Sequence, residues 1–103
     1  MTRKNISSAQ LIQILQSWGG GNISTEKLQL WMLDNFEPEE FDIGKGESGC
    51  VSEAMHIVMN EYELADQNKC QSEQFQLAID FINCDEDSFV RLKTNFLRNG
   101  FTD

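Results

Sequence analysis

The most regular pattern in this sequence lies between residues 51 and 65, where apolar side chains recur at helical spacing. This spacing places all of them on one face of an α-helix. We therefore expect a helix from about Ser48 that buries this face against other elements. The apolar residues, at positions i, i+3, i+4, i+7, i+11 and i+14, are Val51, Ala54, Met55, Val58, Tyr62 and Ala65.

Start and stop signals predict two helices ahead of this one. Ser7 and Gln10 have the spacing of a capping box, and the glycines at 19–21 stop the helix that follows. Ser24 is the expected cap of the second helix, which ends before Pro38 because that position disfavours helical backbone. Leu30 and Leu33 flank the apolar face of the second helix and predict burial on more than one side. The residues on the inward faces are Leu11, Leu15, Trp18, Leu28, Trp31, Met32 and Phe36.

Two more helices are expected after residue 66, with Ser72 and Asp85 as their caps. Gly100 stands where a left-handed glycine would end the last helix, accompanied by the apolar pair Phe96 and Phe101. No segment alternates strictly enough to predict a strand, and residues 37–47 are expected to form a loop. The connections are short. Residues 1–103 are therefore expected to form a single all-α domain, a compact antiparallel bundle of four to five helices.

The charge of the chain is strongly negative and unevenly distributed. Seventeen acidic residues against eight lysines and arginines give a formal charge of −9. Residues 34–66 hold ten acids against Lys45 alone, so this third carries a charge equal to that of the whole chain. Direct nucleic-acid binding is not expected, because it needs a basic face. Such a density of acids either keeps a chain soluble or offers a prepared surface to a basic partner.

The candidate partner-binding residues are the acids of the middle third and one aromatic side chain among them. Phe41 stands between acids in the densest stretch, where it could anchor in a basic groove or fold back onto the bundle. The polar face of the helix predicted from Ser48 adjoins this stretch. The full set is Asp34, Glu37, Glu39, Glu40, Phe41, Asp42, Glu47, Glu53, Glu61 and Glu63.

Motifs for catalysis or metal binding are weak. Glu53 and His56 have the Glu-x-x-His spacing of di-metal bundles, but that site needs a second copy and His56 is the only histidine. The acids at 85–87 lack the glycine and the glutamate of a calcium loop. The glycines at 19–21 lack the lysine of a phosphate loop. We expect no enzyme activity, no metal and no cofactor, and a small enzyme or metal protein using Glu53 and His56 is the least favoured hypothesis.

Cysteine use and hydropathy predict a cytoplasmic protein. The three cysteines, an odd number without Cys-x-x-Cys spacing, indicate free thiols in a reducing compartment. No run of about 18 apolar residues occurs, so no membrane contact is expected. The charged N-terminus is not followed by the apolar stretch of a signal peptide. The cysteines are Cys50, Cys70 and Cys84.

The segment from Trp18 to Leu28, Trp-Gly-Gly-Gly-Asn-Ile-Ser-Thr-Glu-Lys-Leu, resembles the helix–glycine–Ile-Ser–helix junction of the colicin D immunity-like family. The acidity and helical layout of the remainder are similar to immunity proteins of contact-dependent growth inhibition systems. The resemblance implies a one-to-one complex with a cognate nuclease toxin, which protects the producing cell. In the colicin D relatives the target of the toxin is tRNA. A nuclease site is basic because it holds phosphates, and an acidic surface complements it.

A second hypothesis explains the same acidity. An acidic mimic of DNA, such as a phage anti-defence protein, would bind a host nucleic-acid-binding protein or nuclease instead of a cognate toxin. Gene neighbourhood separates the two hypotheses, because a toxin gene is expected beside an immunity gene.

Overall fold

The computed structural model describes residues 4–35 and 41–101. Within these ranges the chain is mostly helical, with five α-helices, two short strands and two single 3-10 turns, so the predicted helical class is confirmed there. The antiparallel order of neighbouring helices stays a prediction. The elements are β1 Lys4–Ile6, α1 Ser8–Gly19, α2 Thr25–Asn35, β2 Phe41–Ile43, α3 Gly49–Leu64, 3-10 turns at Gln67–Lys69 and Ser72–Gln74, α4 Phe75–Ile82 and α5 Phe89–Asn99.

A small parallel sheet departs from the predicted all-α class. Strands β1 and β2 pair side by side, with Ile6 opposite Ile43 and both side chains buried. The backbone N–H of Gly44 extends the pairing by donating to the Ile6 carbonyl at 2.8 Å. The loop predicted over residues 37–47 is therefore wrong for residues 41–43. Strands of three residues are too short to show an alternating pattern, so the sequence gives no local signal for them.

The predicted start signals of three helices are confirmed. Ser7 and Gln10 form a capping box: the Ser7 hydroxyl accepts from the Gln10 N–H at 3.2 Å, and the Gln10 side chain accepts from the Ser7 N–H at 2.8 Å. The Ser24 hydroxyl accepts from the Lys27 N–H at 3.2 Å. Ser48 caps α3 in the same way. These bonds satisfy backbone donors that a helix start leaves without partners.

Two predicted helix ends are different in the structure. Ser72 lies in a 3-10 turn, and α4 begins at Phe75 without a side-chain cap. Gly100 has φ −80°, in the right-handed region, so it is not a left-handed cap. The apolar pair that accompanies this helix end is nevertheless formed, since the rings of Phe96 and Phe101 lie 5.4 Å apart. The end of α5 is held by this ring packing, by the Gly100 N–H that donates to the Phe96 carbonyl at 2.9 Å, and by a β-bridge between Cys70 and Phe101.

A chain of aromatic rings links four helices in the core. Tyr62 of α3 contacts Trp18 of α1 edge to face, with ring centroids 5.2 Å apart, and Phe96 of α5 at 5.6 Å. Phe96 stacks in turn on Phe81 of α4 at 5.9 Å. The predicted core position of Trp18 is confirmed, and its indole N–H donates to the Thr25 hydroxyl at 3.0 Å. Edge-to-face pairs of this kind stabilise a core beyond the area they bury.

The hydroxyl of Tyr62 is buried without a hydrogen-bond partner among the described residues. An unpaired buried hydroxyl costs about 1–3 kcal/mol. Burial also raises the pKa of Tyr62 above its ordinary value of 10.0. The folded state therefore holds the phenol proton more tightly than the unfolded state. Its contribution to stability is complete below pH 10 and is lost as the pH rises from there toward the folded pKa.

We expect Tyr62→Phe to raise the free energy of unfolding by about 1 kcal/mol at pH 7, because the unpaired hydroxyl is removed. The variant also lacks the group that ionises on unfolding above pH 10. Its advantage over the wild type should grow there by about 1.4 kcal/mol per pH unit. Urea unfolding from pH 7 to pH 11 measures both effects. A stability difference that stays constant across this range would contradict the assignment.

Candidate functional site

The described acids of the candidate set lie on α2, β2, α3 and the turn between β2 and α3. Asp34 is exposed in the last turn of α2. Asp42 lies in β2 and Glu47 in the turn before α3, and both are half-buried. Phe41 contributes its backbone to β2. The candidate positions outside the described residues are Glu37, Glu39, Glu40 and the side chain of Phe41.

The turn between β2 and α3 is fixed by glycines and by contact with α3. Gly44 and Gly46 have φ of 72° and 88°, a region that favours glycine. A Cβ on Gly44 would stand 3.0 Å from the Cα of Ser52, so the turn approaches α3 closely. The Ser52 hydroxyl donates to the Ile43 carbonyl at 3.2 Å. These contacts hold Glu47 beside the start of α3.

The three acids of α3 do not share one surface. Glu53 is exposed in the second turn, whereas Glu61 and Glu63 are half-buried in the last two turns. Eight residues of helix separate Glu53 from Glu61 by about 12 Å. Glu61 and Glu63 are about 200° apart around the helix axis. The single polar face predicted for these acids is therefore divided in the structure.

One surface is a cleft of about 500 Å³ between the start of α3 and the turn that leads into α5. Asp85 lies in this turn and accepts hydrogen bonds from the N–H and the hydroxyl of Ser88, both at 2.8 Å. These bonds lower the pKa of Asp85. The carboxylate caps this turn, whereas the N-cap of α5 is Ser88, so the prediction that Asp85 caps this helix is wrong. The cleft is lined by Ser48, Gly49, Cys50, Glu53, Cys84, Asp85 and Glu86.

The thiol of Cys84 and the imidazole of His56 both make hydrogen bonds to backbone carbonyls. The Cys84 thiol is buried and donates to the Cys50 carbonyl at 3.7 Å, and burial raises its pKa. A thiol of this kind is mainly protonated and weakly nucleophilic. Nδ1 of His56 lies 2.8 Å from the Ser52 carbonyl, which can only accept, so this nitrogen is the donor. Within residues 4–35 and 41–101, no group of three or more His, Cys, Asp or Glu side chains is placed to hold a metal ion.

The second surface, which we name the leucine patch, lies between α2 and the end of α3. Leu30 and Leu33 are 51% and 53% exposed, so the prediction that α2 is buried on more than one side is wrong for these residues. The reason is that α2 packs against α1 and α3 only on its inner side. The patch is a cleft of about 300 Å³ lined by Glu26, Gln29, Leu30, Leu33, Glu63 and Gln67.

A polar contact holds the leucine patch together. The side-chain amide of Gln29 donates to the carbonyl oxygens of Tyr62 and Ala65, at 3.2 and 2.5 Å. These carbonyls belong to the C-terminal end of α3, where a helix leaves acceptors without partners. The contact fixes α2 against α3 and brings Glu63 into the same cleft as the two leucines. Sequence spacing could have shown Glu26, Leu30 and Leu33 to share a helical face, but not that this face is open.

Basic side chains are concentrated elsewhere. Helix α3 has three acids and no lysine or arginine, whereas α5 carries Arg91, Lys93 and Arg98 and no acid. Arg91 and Arg98 are exposed. The described surface therefore has a mainly acidic region around α2 and α3, which also includes Lys27 and Lys45, and a basic stretch on α5. Separation of this kind gives a protein distinct partner-binding faces.

No family model, curated protein or solved structure matches this chain. In the part of the chain that the structure describes, no helix has the length and apolar character needed to cross a bilayer. The surfaces around α2, β2 and α3 are the candidate partner-binding sites of the described residues.

Proposed function

We propose that this domain is an immunity protein that binds and neutralises a cognate nuclease toxin of the tRNA-cleaving class. The observation that carries the proposal is the concentration of acids around α3, on more than one face of the helix. The helix presents Glu53, Glu61 and Glu63 without a basic residue of its own. Strand β2 adds Asp42, and the turn held against the start of α3 adds Glu47. Acids distributed around this helix complement the basic site that a nuclease needs for phosphates.

This domain would inhibit the toxin by occupying its phosphate-binding site, and not by catalysing a reaction. Carboxylates that sit where the phosphates of the nucleic acid bind exclude the substrate from the toxin. The negative field of the domain also accelerates encounter with a basic protein. A one-to-one complex formed in the cytoplasm, before the toxin meets its substrate, completes the proposal. The acids outside the described residues, Glu37, Glu39 and Glu40, belong to the same proposed contact region.

The proposal is tested by tagging the domain, expressing it in its native host and identifying what co-purifies. We expect a single basic nuclease at about 0.1 M salt and much less of it at about 1 M, where the Debye length falls from about 10 Å to 3 Å. Purified nuclease should then be inhibited at a one-to-one ratio. Recovery of a host DNA-binding protein instead would replace the immunity role with DNA mimicry. Recovery of no partner under either condition would count against both.

A further inference from the structure

We propose that the leucine patch docks an amphipathic, lysine- or arginine-rich helix of the toxin. This inference rests on the proposed function and adds a second contact to it. The patch differs from the acidic surface in having an apolar centre. Helices commonly bind other proteins by placing apolar side chains one turn apart into such a groove.

The apolar centre consists of two exposed leucines on one face of α2. Leu30 and Leu33 are three residues apart, so their side chains are neighbours on the helix surface. Both line the same cleft, and each is about half exposed, at 51% and 53%. A pair of adjacent exposed leucines beside a cleft is a more specific feature than single exposed apolar residues, which are common.

Acids border this apolar centre on both helices. Glu26 of α2 and Glu63 of α3 line the cleft with the two leucines. Asp34 lies one helical turn beyond Leu30, on the opposite side from Glu26. Among the described residues, no lysine or arginine lines the cleft. A complementary occupant therefore carries basic residues on both sides of its apolar stripe.

The groove is already formed in the free domain. The hydrogen bonds from Gln29 to the carbonyls of Tyr62 and Ala65 hold α2 against the end of α3. Docking then needs no rearrangement of these helices, which avoids a cost that would weaken binding.

Helix α5 of a second copy is the competing occupant, because it also combines exposed apolar and basic residues. Its exposed apolar residues are Val90 and Leu97, which are 71% and 37% exposed. They are seven residues apart, about 10.5 Å along the helix, whereas the two leucines of the patch are about 4.5 Å apart along theirs. Only one of the α5 side chains can therefore meet the leucine pair. This mismatch favours the toxin helix over a second copy.

The test uses the full chain and a synthetic helical peptide with leucines at i, i+3 and i+7, flanking lysines and alanine elsewhere. Binding is measured by calorimetry at about 0.1 M salt. We expect the double variant Leu30→Ser, Leu33→Ser to weaken binding about tenfold or more. The matched control Val90→Ser, Leu97→Ser removes exposed apolar groups elsewhere and should change binding less than about twofold. Equal weakening in both double variants would overturn the proposal.

A second pair of variants separates local from general charge effects. Glu26→Lys with Glu63→Lys changes the net charge as much as Glu73→Lys with Asp80→Lys, two exposed acids outside the patch. We expect only the first pair to weaken peptide binding about tenfold or more. The same loss in both pairs would mean that the peptide responds to net charge alone, and would overturn the proposal.

Two further measurements are toxin capture and sedimentation of the domain alone. If toxin is captured and the Leu30→Ser, Leu33→Ser variant captures it equally well, the docking proposal fails while the proposed function stands. If no toxin is captured, the proposed function fails, and with it the toxin as occupant. Sedimentation of the domain alone should show a monomer. Self-association lost both in that variant and in Arg91→Glu, Arg98→Glu would assign the patch to a second copy and overturn the proposal.

Discussion

Reversing three charges of the acidic segment, by Glu39→Lys, Glu40→Lys and Asp42→Lys, is expected to abolish protection against the toxin. Each substitution adds two units of charge, so the formal charge of the chain changes from −9 to −3. Lysines opposite a basic nuclease site replace attraction with repulsion. We expect toxin affinity to fall about 100-fold or more, with much of the loss in the association rate. Survival of cells that express the toxin and binding kinetics at two salt concentrations measure the effect.

Two controls keep this result interpretable. Asp42 is half-buried and takes part in a further interaction, so its replacement can also affect folding. The double variant Glu39→Lys, Glu40→Lys leaves it intact. A triple variant at exposed acids elsewhere, Glu73→Lys, Asp80→Lys and Asp87→Lys, produces the same net charge. A stable charge-reversed variant that still protects would remove the segment from the proposed contact region.

The parts of the fold that the sequence predicts are those determined by short-range contacts. Ser7, Gln10 and Ser48 satisfy backbone groups three residues away, so their role is visible in the sequence. The apolar stripe of α3 follows the helical period in the same way. Pairing of Ile6 with Ile43 instead depends on how α1 and α2 bring two distant segments together. No local pattern indicates that contact, so the sequence does not predict the sheet.

The site is only partly visible in the sequence, for a related reason. Composition reveals the acidic middle third, but not which acids share a surface. Helical geometry alone separates Glu61 from Glu63, although the predicted polar face contains both. The leucine patch needs tertiary information, because periodicity shows that Leu30 is apolar and helical but not that nothing covers it. Its border is completed by Glu63, which the Gln29 contact brings into place.

The second large expected effect concerns Gly19, for which the sequence predicts only a place in a helix stop. Gly21 has φ 81° and is the residue of that run that needs glycine for its backbone. Gly19 is instead the last residue of α1, and a Cβ built there would overlap the ring of Phe75. Phe75 begins α4 and packs against the core. Close contact between α1 and α4 therefore requires a residue without a side chain at position 19.

We expect Gly19→Ala to lower the free energy of unfolding by about 2–3 kcal/mol, because the ring must rotate or the two helices must separate. This is a large part of the stability of about 5–15 kcal/mol that a small domain has. Gly49→Ala is the matched control, since a Cβ at that position of α3 has no neighbour within 4 Å. There the exchange should stabilise the helix by up to about 1 kcal/mol. In urea unfolding, the midpoints of the two variants should shift in opposite directions from that of the wild type. A shift in the same direction would show that the Phe75 ring can move aside without lowering stability.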